Sequence, residues 1–199
     1  ITIMSSRDEI LASIRRNTVC DYAKPDYGLL EKNALRYENP VERFCLSLKD
    51  VGGNSVILKE DEDVNSVIKS LYPDAKRIAS LLPSVNCATF DPNKMDSPAD
   101  LEGTDLAVLP AILGVAENGA VWFEQKEERY RALYFIPESL VFLLDKKTVV
   151  NNMHEAYAYI GNDAYEFGGF ISGPSKTADI EEALVIGAHG AEKLTVILY

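Results

Sequence analysis

Cysteine and histidine are scarce in this chain of 199 residues, and basic charge is in deficit. The three cysteines (Cys20, Cys45, Cys87) are an odd number, widely spaced, with no C-x-x-C pair. They fit a reduced cytosolic compartment rather than a disulfide framework. They also cannot supply the four thiolates of an iron–sulfur cluster from this chain alone. The two histidines, His154 and His189, lie far apart with no carboxylate at ligand spacing, so no metal site is expected. Lysine and arginine number 20 against 31 acidic residues, a net charge of −11. That balance offers no basic field for a phosphate backbone, so no nucleic-acid partner is expected, and anionic lipid repels the surface. The longest apolar run, Leu106 to Ala116, carries Pro110 and Gly114 and falls far short of the roughly 20 residues a spanning helix needs. An integral membrane protein is therefore not expected. Charges interrupt Ile1 to Arg16 where a signal peptide requires an apolar core. Met4 is a candidate natural start, and a cytoplasmic location is the expectation. There is no G-x-G-x-x-G, no P-loop and no G-x-S-x-G, which leaves dinucleotide, nucleotide and serine-hydrolase chemistry without a motif.

What is present is ordinary globular composition, 47% hydrophobic and 26% charged, in a chain long enough to bury a substantial core. The pattern divides into an N-terminal helix with an extended arm over residues 1–40 and one α/β domain over residues 41–199. Ser6-Arg7-Asp8-Glu9 reads as a capping box ahead of Ile10, Leu11 and Ile14. Asn17 to Asn39, with Pro25, Gly28 and Tyr22, Tyr27 and Tyr37, reads as an irregular arm that either clamps a partner or packs on its own domain. Val41, Phe44, Cys45, Leu48 and Val51 then recur at helical spacing behind Pro40, and Gly52-Gly53 ends that helix. Asp61 or Asp63 can cap a second helix bearing Val64, Val67, Ile68 and Leu71. Strands are expected at Ser55 to Leu58, Arg77 to Ser80, Leu106 to Ala116, Ala120 to Phe123, Leu140 to Leu144, Phe170 to Ser172 and Leu194 to Leu198. Helices are expected at Lys147 to Ile160 and Thr177 to Ile186. Such alternation predicts an α/β fold with a mixed, largely parallel sheet flanked by helices.

Three stretches could carry chemistry. Gly168 to Glu181 reads as a strand, a glycine turn and a helix start, with Gly173, Ser175, Lys176, Thr177 and Asp179 placed to receive an anion at backbone N–H groups. The same residues equally describe a helix cap. Gly187-Ala188-His189-Gly190 places His189 in a tight turn, where it is either a catalytic group titrating near neutrality or a helix C-terminal cation. Gly114 to Ala120 sets Glu117 at the end of a buried strand, as a base, an acyl-accepting nucleophile or a plain turn residue. Asn118 and Gly119 beside it form a hairpin signal and join the ligand-binding candidates. The charged connector Glu124 to Arg131 reads as a solvated face.

These segments together resemble the LUD family, and within it the lactate-utilization protein C (LutC) group. Phe44 to Gly53 looks like the family's F-x-x-x-L-x-x-V-G-G segment. Gly114 to Ala120 looks like G-I-A-E-T-G-T, with Asn118 in place of Thr. Gly173 to Glu181 with Gly187 to Gly190 looks like G-P-S-x-T-A-D-I-E followed by G-x-H-G-P, with Ala191 in place of Pro. The resemblance covers about Val41 to Tyr199. It implies a fold similar to the NagB/RpiA/CoA-transferase superfamily. It also implies a non-redox subunit of an electron-transfer system that oxidises L-lactate to pyruvate, with iron–sulfur clusters on LutA-like and LutB-like partners. On the physical reading of the motifs that subunit binds an anionic small molecule. The alternative is a stand-alone enzyme of the same superfold, acting on a phosphorylated or thioester substrate with Glu117 as base or nucleophile.

Overall fold

Asn39 accepts a hydrogen bond from the Glu42 N–H, Pro40 supplies the φ of a first helical turn, and a helix follows. Local rules of this kind build most of the chain. The computed structural model describes residues 5–18, 23, 28–161, 165–178 and 184–199. The chain divides into two compact units, Ile1–Ala34 and Leu35–Tyr199. In the first, α1 (Ser6–Asn17) is capped by Ser5 rather than Ser6, the Ser5 hydroxyl accepting from the Asp8 N–H. α2 (Gly28–Asn33) follows. Cys20, Tyr22, Pro25 and Tyr27 of the expected arm lie outside the described residues.

The second unit runs through α3 (Pro40–Asp50), β1 (Asn54–Ile57), α4 (Val64–Leu71), β2 (Ile78–Ala79), β3 (Leu106–Ala111), β4 (Leu113–Val115), β5 (Ala120–Glu124), β6 (Ser139–Leu144), β7 (Val149–Val150), α5 (Met153–Ile160), β8 (Gly168–Ile171), β9 (Lys176–Ala178), β10 (Leu184–Ile186) and β11 (Lys193–Leu198). Five strands form a parallel sheet in the order β1-β11-β6-β3-β2. Its central strands are apolar on both faces, as a sheet covered on two sides requires. Ala107, Leu109, Leu140, Phe142 and Val196 face one core with Phe44 and Leu48 of α3. Leu106, Val108, Val141, Leu143 and Ile197 face the other with Ile68 of α4. A second sheet, β7-β4-β5-β8, lies over the α3 side. Its Val121 and Phe123 join the first core, while Trp122, Leu113 and Val115 pack on Ala156 and Ile160 of α5. The mixed α/β architecture with a largely parallel central sheet is the one expected.

Three local expectations need correction. The run Leu106 to Ala116 is not one strand but two, in different sheets. Pro110 has no N–H to continue a ladder, and beyond it the Ile112 N–H donates to the Trp122 carbonyl (2.9 Å), turning the chain into β4. Of the expected Lys147 to Ile160 helix only Met153–Ile160 is α-helical: Lys146–Thr148 makes a short 3-10 turn, and the β-branched pair Val149-Val150 goes into extended pairing with β4. Asn152 then caps α5 by accepting from the Glu155 N–H (3.0 Å). The described ends of Thr177 to Ile186 are strands instead, β9 pairing antiparallel with β10 in the register Lys176↔Ile186 and Thr177↔Val185. Val185 and Ile186 are exposed.

Asp105 pins the entry to β2 and β3. Its carboxylate accepts from the backbone N–H groups of Lys76 (2.7 Å) and Arg77 (2.8 Å). These bonds, the one from Arg77 first, hold its carboxyl below the ordinary carboxylate value. The contribution is therefore present above the unfolded-state pKa and is lost as pH falls through the lowered one. Asp105→Asn should cost about 1 kcal/mol at neutral pH. It should also flatten the acid limb of stability measured by urea titration below about pH 4.

Candidate functional site

The candidate site is organised by the C-terminal end of α3. Phe44 and Leu48 anchor that helix in the core. The Ser47 hydroxyl donates to the Ala116 carbonyl (2.6 Å), and Gly119, at φ +66°, brings its Cα against the Leu48 backbone. A Cβ there would sit 2.5 Å from the Leu48 nitrogen. The β4–β5 turn is thus clamped to α3 by its own backbone.

Within that turn Glu117 is half-buried and already engaged. Its Oε1 accepts from the Met153 N–H (3.0 Å), one of the unsatisfied donors at the start of α5. The Asn118 side chain accepts from the Ala120 N–H (3.0 Å), and the Asn118 carbonyl accepts from the Ser172 hydroxyl (2.7 Å). That last bond ties the turn to the end of β8.

From Ser172 the chain enters the glycine loop. Gly173 has φ +71° and lies against the Val51 carbonyl, and the Lys176 ammonium donates to the same oxygen. The Ser175 N–H donates to the Ala191 carbonyl (2.8 Å), and the Ser175 carbonyl accepts from the Gly187 N–H (3.0 Å). Gly190 leaves room for the Ser175 side chain. The two motif segments, 173–176 and 187–190, are therefore stitched together. They line a cleft of about 250 Å³ that is completed by Tyr134, Phe135, Leu140 and Leu194.

The cleft gathers Gly173, Ser175, Lys176 and His189 from the candidates named by sequence. Thr177 lies on β9 outside the cleft lining, and Asp179 lies outside the described residues. Because Thr177 is in a strand, no helix begins there. The expected anion cradle on a helix N-terminus is corrected to a loop held by α3 and by residues 187–191. Glu117, Asn118 and Gly119 support that loop from outside the lining. Sequence reasoning missed Tyr134 and Phe135, which follow the connector read as a solvated face; the aromatic run Tyr130, Tyr134, Phe135 was the available signal. Tyr134 is buried and stacks on Phe123 at 4.0 Å between ring centroids. Burial, with the Glu128 carboxylate adding to it, raises its phenol pKa far above the ordinary value. Tyr134 is thus a fixed hydrogen-bond donor rather than a base.

Among the described residues the cleft lining carries Lys176 and His189 and no carboxylate. In a chain of net charge −11 those described residues set a local sign opposite to that of the whole. Among the described residues no group of three or more His, Cys, Asp or Glu could hold a metal ion, and no helix is long and apolar enough to cross a membrane. The engagement of Glu117 gives a direct prediction. Glu117→Gln keeps an acceptor for Met153 and should shift stability by under about 1 kcal/mol, whereas Glu117→Ala should cost about 1–2 kcal/mol in urea denaturation, within the range of a lost helix cap.

The chain is similar to several known proteins. The lactate utilization protein C of Geobacillus kaustophilus (strain HTA426) is 36% identical over 104 residues, which cover 49% of this chain and 43% of that protein. The chain thus aligns with less than half the length of that relative. The lactate utilization protein C of Geobacillus thermodenitrificans (strain NG80-2) is 26% identical over 97% of this chain and 79% of its own length. The uncharacterized protein YkgG of Escherichia coli (strain K12) is 29% identical over 78% of this chain and 66% of its own. A crystal structure of a DUF162 family protein from Deinococcus radiodurans superposes with a TM-score of 0.62 at 16% identity, covering 82% of this chain and 98% of that one; it shows the shared fold. The LUD domain family model matches residues 99–199, the stretch that holds β3 to β11, the Glu117 turn and both cleft segments. With more than half its length so matched, the chain belongs to the LUD domain family.

Proposed function

We propose that the chain is a lactate utilization protein C-like subunit of a cytoplasmic lactate-oxidising system, and that its cleft binds a small carboxylate or phosphate-bearing anion. In this reading the iron–sulfur clusters belong to LutA-like and LutB-like partners, and electrons pass from L-lactate through them as pyruvate forms. The reading is supported by family membership and by relatives that carry the name lactate utilization protein C. The observation that carries the anion is the sign of the cleft. Lys176 has three donors, of which one goes to Val51; His189 and Ser175 share the lining with it, and among the described residues no acid does. A stand-alone group-transfer enzyme with Glu117 as base or nucleophile is less well supported, because that carboxylate caps α5 and does not line the cleft.

The test is an anaerobic pull-down of the tagged chain from its native cells, with the eluate assayed for iron and for lactate-dependent dye reduction. Cysteine-rich partners, iron and activity together are the expected outcome. A partner-free, colourless protein overturns the subunit reading. For the cleft, L-lactate, pyruvate and inorganic phosphate are titrated separately by calorimetry. Lys176→Met should weaken whichever binds by about tenfold, the size of one lost charge-assisted hydrogen bond.

A further inference from the structure

At the opposite end of the central sheet from the cleft lies a larger cavity of about 490 Å³. The cleft takes Leu140 and Leu194 from the amino ends of β6 and β11. The cavity takes Leu143 from the carboxyl end of β6, Pro110 and Ala111 from that of β3, and Leu58 and Tyr199 from just beyond β1 and β11. The carboxyl ends of parallel strands are where open α/β sheets hold ligands, and the volume lies within the usual range for small-molecule sites.

The cavity has a topological cause. β1 and β2 occupy opposite edges of the sheet, and α4 connects them across one face. A helix of eight residues is about 12 Å long, whereas five strands span about 19 Å. α4 and the loop bearing Leu82, Val85 and Cys87 leave that face incompletely covered, and the gap falls beside the start of α4 at Glu62, Asp63 and Val64.

The charge in the lining is of one sign. Glu62 and Asp63, both exposed, stand in it, and among the described residues no lysine, arginine or histidine does. Lys59, whose backbone N–H donates to Glu62 (3.3 Å), is exposed and outside the lining. Asp63 accepts from the side chains and backbones of Asn65 and Ser66, which hold its carboxyl below the ordinary value and keep it ionised. The remaining walls, Leu58, Val64, Leu82, Pro110 and Leu143, are apolar.

We infer that this cavity is a second binding site, for a small ligand with an apolar body and an ammonium group. The two sites of the molecule would then have opposite charge preference at opposite ends of one sheet. The inference does not depend on the lactate reading.

The experiment uses the isotope-labelled full chain and two probes of like shape, 2-phenylethylammonium and 3-phenylpropionate, followed by amide chemical shifts. The amine should shift Val64, Leu82 and Ala111, and the carboxylate should bind there at least about fivefold more weakly. Ser84→Trp, at an exposed lining position, should abolish the amine shifts with an unchanged Tm. Glu62→Gln, which retains an acceptor for Lys59, should weaken the amine by about twofold to fivefold. No shifts at the cavity, equal binding of both probes, or amine binding that survives both substitutions overturns the proposal.

Discussion

Gly119→Ala is expected to destabilise the protein by at least about 3 kcal/mol, with a matching fall in the urea midpoint. Two costs combine. A non-glycine residue at φ +66° carries about 1–2 kcal/mol of strain. The larger cost is steric, because the new Cβ would meet the Leu48 nitrogen at 2.5 Å, the Leu48 Cα at 2.6 Å and the Ser47 carbonyl carbon at 2.9 Å. These are main-chain atoms of a helix anchored by Phe44 and Leu48, so relief requires moving α3 out of the core. Gly119→Asn separates the two costs. Asparagine tolerates the left-handed region, so near-equal destabilisation by both variants identifies the backbone contact as the cause. A loss under about 1 kcal/mol for alanine would mean that α3 and the turn are not clamped.

Gly173→Ala is expected to act on stability and on the cleft together. Its φ is +71°, and a Cβ would lie 2.6 Å from the Val51 carbonyl oxygen, the atom to which Lys176 donates. Displacing that oxygen removes the anchor of the ammonium. A loss of about 2–3 kcal/mol in stability should therefore accompany at least about tenfold weaker binding of the anion probe. Adding Val51→Ala removes the second contact, Cγ2 at 3.0 Å, and should not rescue either effect because the carbonyl remains. Rescue of binding by that double substitution would show that Lys176 is placed by side-chain packing alone.

Much of the fold is legible in the sequence where local chemistry and burial agree. Asp63 before Val64, Val67, Ile68 and Leu71 gives α4 because the cap and the apolar spacing coincide. Leu140 to Leu144 gives β6 because both faces of that strand are buried. Asn118-Gly119 gives the β4–β5 turn because only small or amide residues suit its backbone. The failures occur where partners far apart in the chain override local pattern. Val149 and Val150 become a strand only because β4 offers an edge. Lys176 to Ala178 and Leu184 to Ile186 pair with each other as strands, with Val185 and Ile186 exposed. The site divides the same way. Gly173, Ser175, Lys176 and His189 come from two short motifs and are legible in them. Tyr134 and Phe135 enter the cleft by tertiary packing, and the large cavity takes single residues from segments as separate as Leu58, Leu82, Pro110, Leu143 and Tyr199.

The position of β11 governs how the central sheet must assemble. It sits between β1 and β6, with Asn54 paired to Thr195 and Val141 to the same residue. Until Lys193 to Leu198 has left the ribosome, β1 has no neighbour and β6 presents an open apolar edge beside it. β1 therefore waits for a partner about 140 residues later in the chain, and closing the central sheet is a slow step set by long-range pairing.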